Sequence, residues 1–267
     1  MTIADWLFDT MKKLGDAGVD SPRRDALVLL EDTLKHDRSW VLAHSEHDLS
    51  PNELEQVNTL VKRRVKREPL AYIRGKAWFY GRFFSVNEHV LIPRPETETI
   101  IGMAKDLKPK SIIDLGTGSG CLAVTLALEI PDARVLATDV SLEALEVART
   151  NAYSHNVKIK LKNNYLLEGV LEEPVDLVVA NLPYVPEGLI TSPEIETEPK
   201  LALFAGESGM DLYESLWAQL STSSNKPKHI ITESLESQHS HMSTLAVKSG
   251  YRLEKVDQLI QLFRAVS

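Results

Sequence analysis

The hydrophobic rhythm of the chain changes once, near residue 75. Before it, apolar residues recur at helical spacing: Ile3, Trp6, Leu7, Met11 and Leu14, then Ala26, Leu27, Leu29 and Leu30, then Leu54, Val57, Leu60 and Val61. Ser21-Pro22 supplies a cap and a first-turn proline, and Ser50-Pro51-Asn52-Glu53 a capping box. These stripes predict short helices packed as a small bundle, which Trp40 helps to close. From Trp78 to Leu91 the pattern favours strand, with Phe79, Tyr80, Phe83, Phe84 and Val86 around a Gly81-Arg82 turn. Ile92-Pro93-Arg94-Pro95-Glu96-Thr97-Glu98 then breaks regular structure and opens a helix whose first turn is acidic.

After residue 110, strand and helix patterns alternate. Strands are predicted near 111–115, 134–138, 158–162 and 175–180, around His229–Thr232 and Tyr251–Glu254, and from Leu259 to Ala265. Such alternation predicts a mainly parallel sheet with helices on both faces, binding its ligand at the carboxyl ends of the strands. The expected organisation is a helical domain over 1–74, a β-hairpin linker over 75–94 and an α/β domain over 95–267.

Three motifs fall at such strand ends. The first is Asn181-Leu182-Pro183-Tyr184, after the apolar run Val175–Ala180. An amide or aromatic amine has its lone pair tied up in conjugation, so no simple base makes it attack. Two carbonyl acceptors on its hydrogens, with a flat ring to orient it, suit its alkylation. Asn181 offers a side-chain oxygen, Leu182 a main-chain oxygen and Tyr184 a ring, while Pro183 biases Leu182 toward an extended conformation. The plain alternative is a strand ending in a proline turn.

The second motif is Asp114-Leu115-Gly116-Thr117-Gly118-Ser119-Gly120, followed by the helical run Cys121–Leu128. Glycines allow a tight turn and close approach of a ligand to the backbone, and the helix start presents unpaired N–H groups. A dinucleotide site would want a glycine-like residue at 121, where Cys121 stands, so the spacing fits S-adenosylmethionine better than NAD. The third is Asp139, at the tip of the next strand, which can accept both ribose hydroxyls of a nucleoside or simply cap the helix predicted over Ser141–Asn156.

Composition narrows the field. The 267 residues suit one large domain or a small plus a medium one, and a single cysteine excludes an internal disulfide and a cysteine-based metal site. The start of the chain does not read as a signal peptide, and no uncharged run approaches membrane-spanning length. The expected place of work is the cytoplasm. A net charge of −8 argues against reliance on direct nucleic-acid binding. The local exception, Lys62-Arg63-Arg64-Val65-Lys66-Arg67, could meet phosphate but reads more simply as a solvated helix face and C-terminal turn. His44, His47, His239 and His241 show no metal or triad context, and no metal is expected. Glu233, at a predicted strand end, either lines the site or is an ordinary exposed acid.

Together these motifs resemble the HemK/PrmC protein-glutamine N5-methyltransferases along nearly the whole chain. The resemblance extends through Ser21–Ala26, Glu68–Ile73, the Leu91–Glu98 signature, and Glu198-Pro199 with Ala202-Leu203, Gly206 and Gly209. It implies an α/β fold: a class I, Rossmann-like, S-adenosylmethionine-dependent methyltransferase sheet behind a small N-terminal helical bundle. It further implies methyl transfer to the glutamine of the Gly-Gly-Gln motif in class-1 peptide-chain release factors, which are then the protein partner. By the same likeness Asp114, Gly116, Thr117, Gly118, Ser119, Gly120, Asp139 and Asn181 would hold the cofactor, Tyr165 would lie beside its adenine, and Asn181, Leu182, Pro183 and Tyr184 would carry the chemistry. Asn164 stands where the family usually has an acid, and Leu182 where it usually has proline, which removes a steric restraint on Asn181. Adenine-N6 methylation of nucleic acid and glutamine methylation of a ribosomal protein are the alternatives.

Overall fold

A computed structural model describes residues 1–189 and 192–266. The chain forms two compact units, Met1–Gly75 with Thr191–Thr197, and Lys76–Ile190 with Glu198–Ser267.

The first unit is helical: α1 (Ile3–Asp16), α2 (Pro22–Leu34), α3 (Arg38–Ala43), α4 (Pro51–Val65) and α5 (Leu70–Arg74). The stripes become its core, with Ile3, Trp6, Leu14, Leu29, Leu30 and Val57 all buried. Ser50 and Glu53 make the reciprocal capping box, the Ser50 N–H donating to Glu53 at 2.8 Å. Ser21 does sit at the N-cap of α2 before Pro22, but its side chain makes no cap hydrogen bond. The basic run does form the last turn of α4, with Lys62 and Lys66 exposed as expected, but two of its arginines turn inward. Arg64 is 6% exposed and pairs with the fully buried Asp25 at 2.8 Å. Arg64 and Arg67 also converge on Glu194, at 2.9 and 2.6 Å, and with Arg67 first among the causes that carboxyl is held down at about 2. Opposite charges distant in sequence supply what the local charge pattern cannot show. Removing one partner of a buried pair costs about 3–5 kcal/mol, so Arg64 is part of the unit's interior bonding.

The second unit opens with an antiparallel hairpin, β1 (Lys76–Phe79) and β2 (Arg82–Ser85). Tyr80 and Gly81 take φ of 47° and 76°, as a two-residue hairpin turn demands, so the turn lies one residue before the predicted Gly81-Arg82. The hairpin is more than a linker. Phe79 and Phe84 are fully buried in the core of this unit, each contributing about 1.5–3 kcal/mol, and the Asn151 side chain bonds both Ser85 N and Ser85 O.

Then follow α6 (Glu98–Leu107), β3 (Ser111–Leu115), α7 (Cys121–Glu129), β4 (Arg134–Asp139), α8 (Leu142–Ser154), β5 (Lys160–Asn163) and β6 (Leu177–Ala180). After these come α9 (Asp211–Thr222), β7 (His229–Glu233), α10 (His239–Lys248), β8 (Tyr251–Asp257) and β9 (Ile260–Ala265). The strands order as β5-β4-β3-β6-β7-β9-β8. The first five are parallel, and β9 runs antiparallel to both β7 and β8. The mainly parallel α/β sheet expected from the alternation is therefore present. Strand β6 is apolar throughout, and β3 and β7 each carry a buried Ile-Ile pair, because helices cover both faces. The chain travels outward from β3 through β4 to β5, then returns to β6 on the other side of β3. Loops leaving β3 and β6 thus diverge at a switch point, where such folds open a crevice.

Candidate active site

A cavity of about 300 Å³ lies at this switch point. Asp114, Gly116, Thr117, Gly118, Ser119, Asp139, Tyr165, Asn181, Leu182 and Pro183 all line it. Gly120 and Tyr184 do not: the first packs against α8 and the second turns inward to Glu233.

The glycine turn is shaped by its backbone. A Cβ at Gly120, where φ is +75°, would stand 2.9 Å from the Ala148 Cβ, so only glycine lets α7 start this close to α8. Gly118, at φ +53°, has no atom within 4 Å of the place a Cβ would take, and its bare backbone faces open space. Thr117 N–H donates to Thr138 O at 2.9 Å and Gly118 N–H to Asp139 Oδ2 at 2.9 Å, which ties the turn to the tip of β4. Asp139 also accepts from Ser141 N–H, yet the cap of α8 is Ser141, whose hydroxyl accepts from Ala144 N–H at 3.0 Å. Each Asp139 oxygen thus takes one backbone N–H and keeps acceptor capacity. Burial raises its pKa. Asp114 is fully enclosed; burial carries it to about 7, and nearby Asp139 adds to the rise although Thr117 donates to it at 2.6 Å. Burial also pushes the Cys121 thiol to about 12, which leaves it no nucleophile at neutral pH.

Tyr165 is 40% exposed at the cavity wall. Beside it the Asn164 amide donates to Leu166 O at 3.0 Å, so its hydrogens serve its own loop.

The Asn181 loop is held by side chains from other elements. Asn181 Nδ2 donates to Thr97 Oγ1 at 2.9 Å, which leaves Oδ1 as the acceptor. Leu182 N–H donates to the Tyr213 hydroxyl at 3.3 Å. Its side chain is buried, and lies 3.1 Å from where a Gly116 Cβ would stand. The Tyr184 hydroxyl donates to Glu233 Oε1 at 3.0 Å, and its carbonyl accepts from Gln238 Nε2 at 2.8 Å. Gly209, at φ +72°, passes so close to that carbonyl that a Cβ would meet it at 2.2 Å. Glu233 is fully buried, which raises its pKa and settles its position behind the loop rather than in solvent. The proline-rich segment is pinned by buried Glu198, which accepts from Ile92 N–H at 3.0 Å and Arg94 at 2.6 Å.

Sequence reasoning assigned no role to Thr97, Asn151, Tyr213 or Gln238. Thr97 and Glu198 lay inside segments already singled out, and that was the available signal. Tyr213 and Gln238 sit in ordinary amphipathic stretches and gave none.

The sheet order and the two strand-end loops define a class I methyltransferase fold. The family models agree: PrmC N-terminal domain matches residues 5–75 and Methyltransferase small domain residues 97–198. A release factor glutamine methyltransferase of Koribacter versatilis (strain Ellin345) is 38% identical over 230 residues, covering 82% of this chain and 81% of that protein. The chain belongs to the release factor glutamine methyltransferase family. A bifunctional methyltransferase of Rickettsia bellii (strain RML369-C) is 32% identical over 295 residues, covering 97% of this chain but 53% of that protein. The chain thus spans about half the length of the bifunctional relatives it matches. Among solved structures, the hMettl16 catalytic domain in complex with MAT2A 3'UTR hairpin 1 aligns with a TM-score of 0.57 at 14% identity, over 90% of this chain and 89% of that one. At that identity the likeness speaks for the fold alone. Among the described residues no helix is long and apolar enough to cross a membrane.

Proposed function

We propose that the chain transfers a methyl group from S-adenosylmethionine to the side-chain amide nitrogen of the glutamine in the Gly-Gly-Gln motif of class-1 peptide-chain release factors. The observation that carries this reading is the Asn181 amide, whose N–H is spent on Thr97 and whose oxygen remains as an acceptor at the cavity.

The residues fit the cofactor. Bare backbone at Gly118 leaves room for close approach, and Asp139 keeps acceptor capacity for two hydroxyls. Half-exposed Tyr165 offers a ring for a base. Bound S-adenosylmethionine supplies a sulfonium methyl group as electrophile. Asn181 Oδ1 and the Leu182 carbonyl would hold the two hydrogens of the glutamine amide, favouring positive charge as it develops on nitrogen, which regains neutrality by losing one of those protons to solvent. Holding both reactants in line removes much of the barrier, up to about 7–11 kcal/mol in favourable cases. Tyr184 does not reach the cavity and supports the loop from behind, its hydroxyl donating to Glu233. The helical domain of residues 1–74 recognises the body of the release factor, and the substrate puts the reaction in the cytoplasm.

Incubation with labelled S-adenosylmethionine, a class-1 release factor, ribosomal proteins and nucleic acid tests this. Label on the Gly-Gly-Gln glutamine, located by peptide mass spectrometry, is expected. Label on a ribosomal protein or nucleic acid instead would displace the proposal.

A further inference from the structure

Leu182 poses an accounting problem. It is 4% exposed, and its main-chain N–H has left the ladder of β6, so a partner must come from elsewhere. That partner is the hydroxyl of Tyr213, in the first turn of α9, at 3.3 Å. Tyr213 is itself fully buried, so no water can replace it. Its hydroxyl also lies 3.0 Å from Ala180 O, at the end of β6, and in hydrogen-bond contact with Glu233 O, at the end of β7. A phenol has one proton and two lone pairs. It donates to one of these carbonyls and accepts from Leu182, joining two strand ends to the loop between them.

We propose that Tyr213 is a positioning residue for methyl transfer, its hydroxyl holding the Leu182 N–H and thereby aiming the Leu182 carbonyl at the substrate. The direction of that carbonyl depends on one peptide plane and two dihedral angles. One is the orientation of the peptide unit joining Asn181 to Leu182, which the Tyr213 contact holds. The others are φ and ψ of Leu182, which Pro183 restrains toward extended values. With these held, the carbonyl points one way before substrate arrives. This rests on the reading of that carbonyl as an acceptor for the glutamine amide.

The test is a double-mutant cycle. Tyr213→Phe keeps the ring and deletes the hydroxyl; Leu182→Pro keeps the carbonyl and deletes the N–H that the hydroxyl holds. In the wild-type background, Tyr213→Phe should lower kcat about three- to tenfold, with KM for the release factor and Kd for the cofactor within about twofold. In the Leu182→Pro background the same change should alter kcat less than about twofold, because no N–H remains to be held. Equal losses in both backgrounds would mean that the hydroxyl serves only the strand ends, and would overturn the proposal. Hydrogen exchange at the Leu182 amide needs no turnover. Protection in the wild type, lost in Tyr213→Phe, is expected, and an unprotected wild-type amide overturns the proposal. Should the wild type label no release factor while this protection behaves as expected, the substrate reading fails and the tyrosine's hold on the loop stands.

Discussion

The Gly116–Gly120 turn takes its shape from its own backbone, whereas the Asn181–Tyr184 loop is shaped by side chains that arrive from elsewhere. In the first, left-handed glycines and N–H bonds to the tip of β4 do the work within one βαβ unit. In the second, Thr97, Tyr213, Glu233 and Gln238 come from 84, 31, 49 and 54 residues away. Under the proposed function, the difference follows from what each must do. A turn that cradles a cofactor needs bare backbone, and glycine conformations deliver it locally. A loop that grips an amide needs two oxygens aimed together, and aiming requires groups behind the loop as well as in it. Damage should therefore spread differently from the two places: to binding from the first, to turnover from the second.

The sharpest separation should come from Asn181→Ala. Loss of one preorganised acceptor is expected to lower kcat by about a hundred- to a thousandfold, while cofactor affinity stays within about threefold. Single-turnover methyl transfer together with titration calorimetry measures both, and near-normal turnover would remove Asn181 from its assigned role. Asp139→Ala attacks the other side. Two hydroxyls would lose a charged acceptor, worth roughly 1.5–3 kcal/mol, so the cofactor dissociation constant should rise about ten- to a hundredfold. Unchanged affinity would reduce Asp139 to a brace for the glycine turn.

Thr97→Val probes the distant support directly. It leaves the Asn181 amide N–H without its partner and should lower kcat about tenfold or less, with cofactor affinity unaltered. An equal loss in cofactor binding would erase the distinction between the two loops. The smallest effect concerns pH. Asp114 is raised to about 7 by burial, and a sulfonium ligand favours its ionised form. Affinity for S-adenosylmethionine should therefore rise a few-fold between about pH 6 and pH 8, with proton release on binding, and less for the uncharged thioether product. Asp114→Asn should flatten the profile; an identical slope in that variant would assign the titration to another group.

Particular residues show how far the chain could be read directly. Strand β3 was legible to its ends, Ser111–Leu115, because a short apolar run feeding glycines has few other readings. The two-residue turn at Tyr80-Gly81 was displaced by one position, since a tyrosine at positive φ gives no warning in composition. Arg64 looked like part of a solvated basic face until Asp25 and Glu194 were found across from it. Glu233 was undecided between exposed acid and site residue, and only the packing of β7 between β6 and β9 buries it.

What the sequence determined by itself was the alternation of strands and helices, the glycine turn, and the tetrapeptide that ends β6. These are written in local periodicity and in residue types with strong backbone preferences, both set over a few neighbours. The tertiary structure alone decided which groups stand behind that tetrapeptide. Tyr213 and Gln238 carry no local mark, because a hydroxyl or amide becomes a support only when folding brings it within about 3 Å of the atom it must hold.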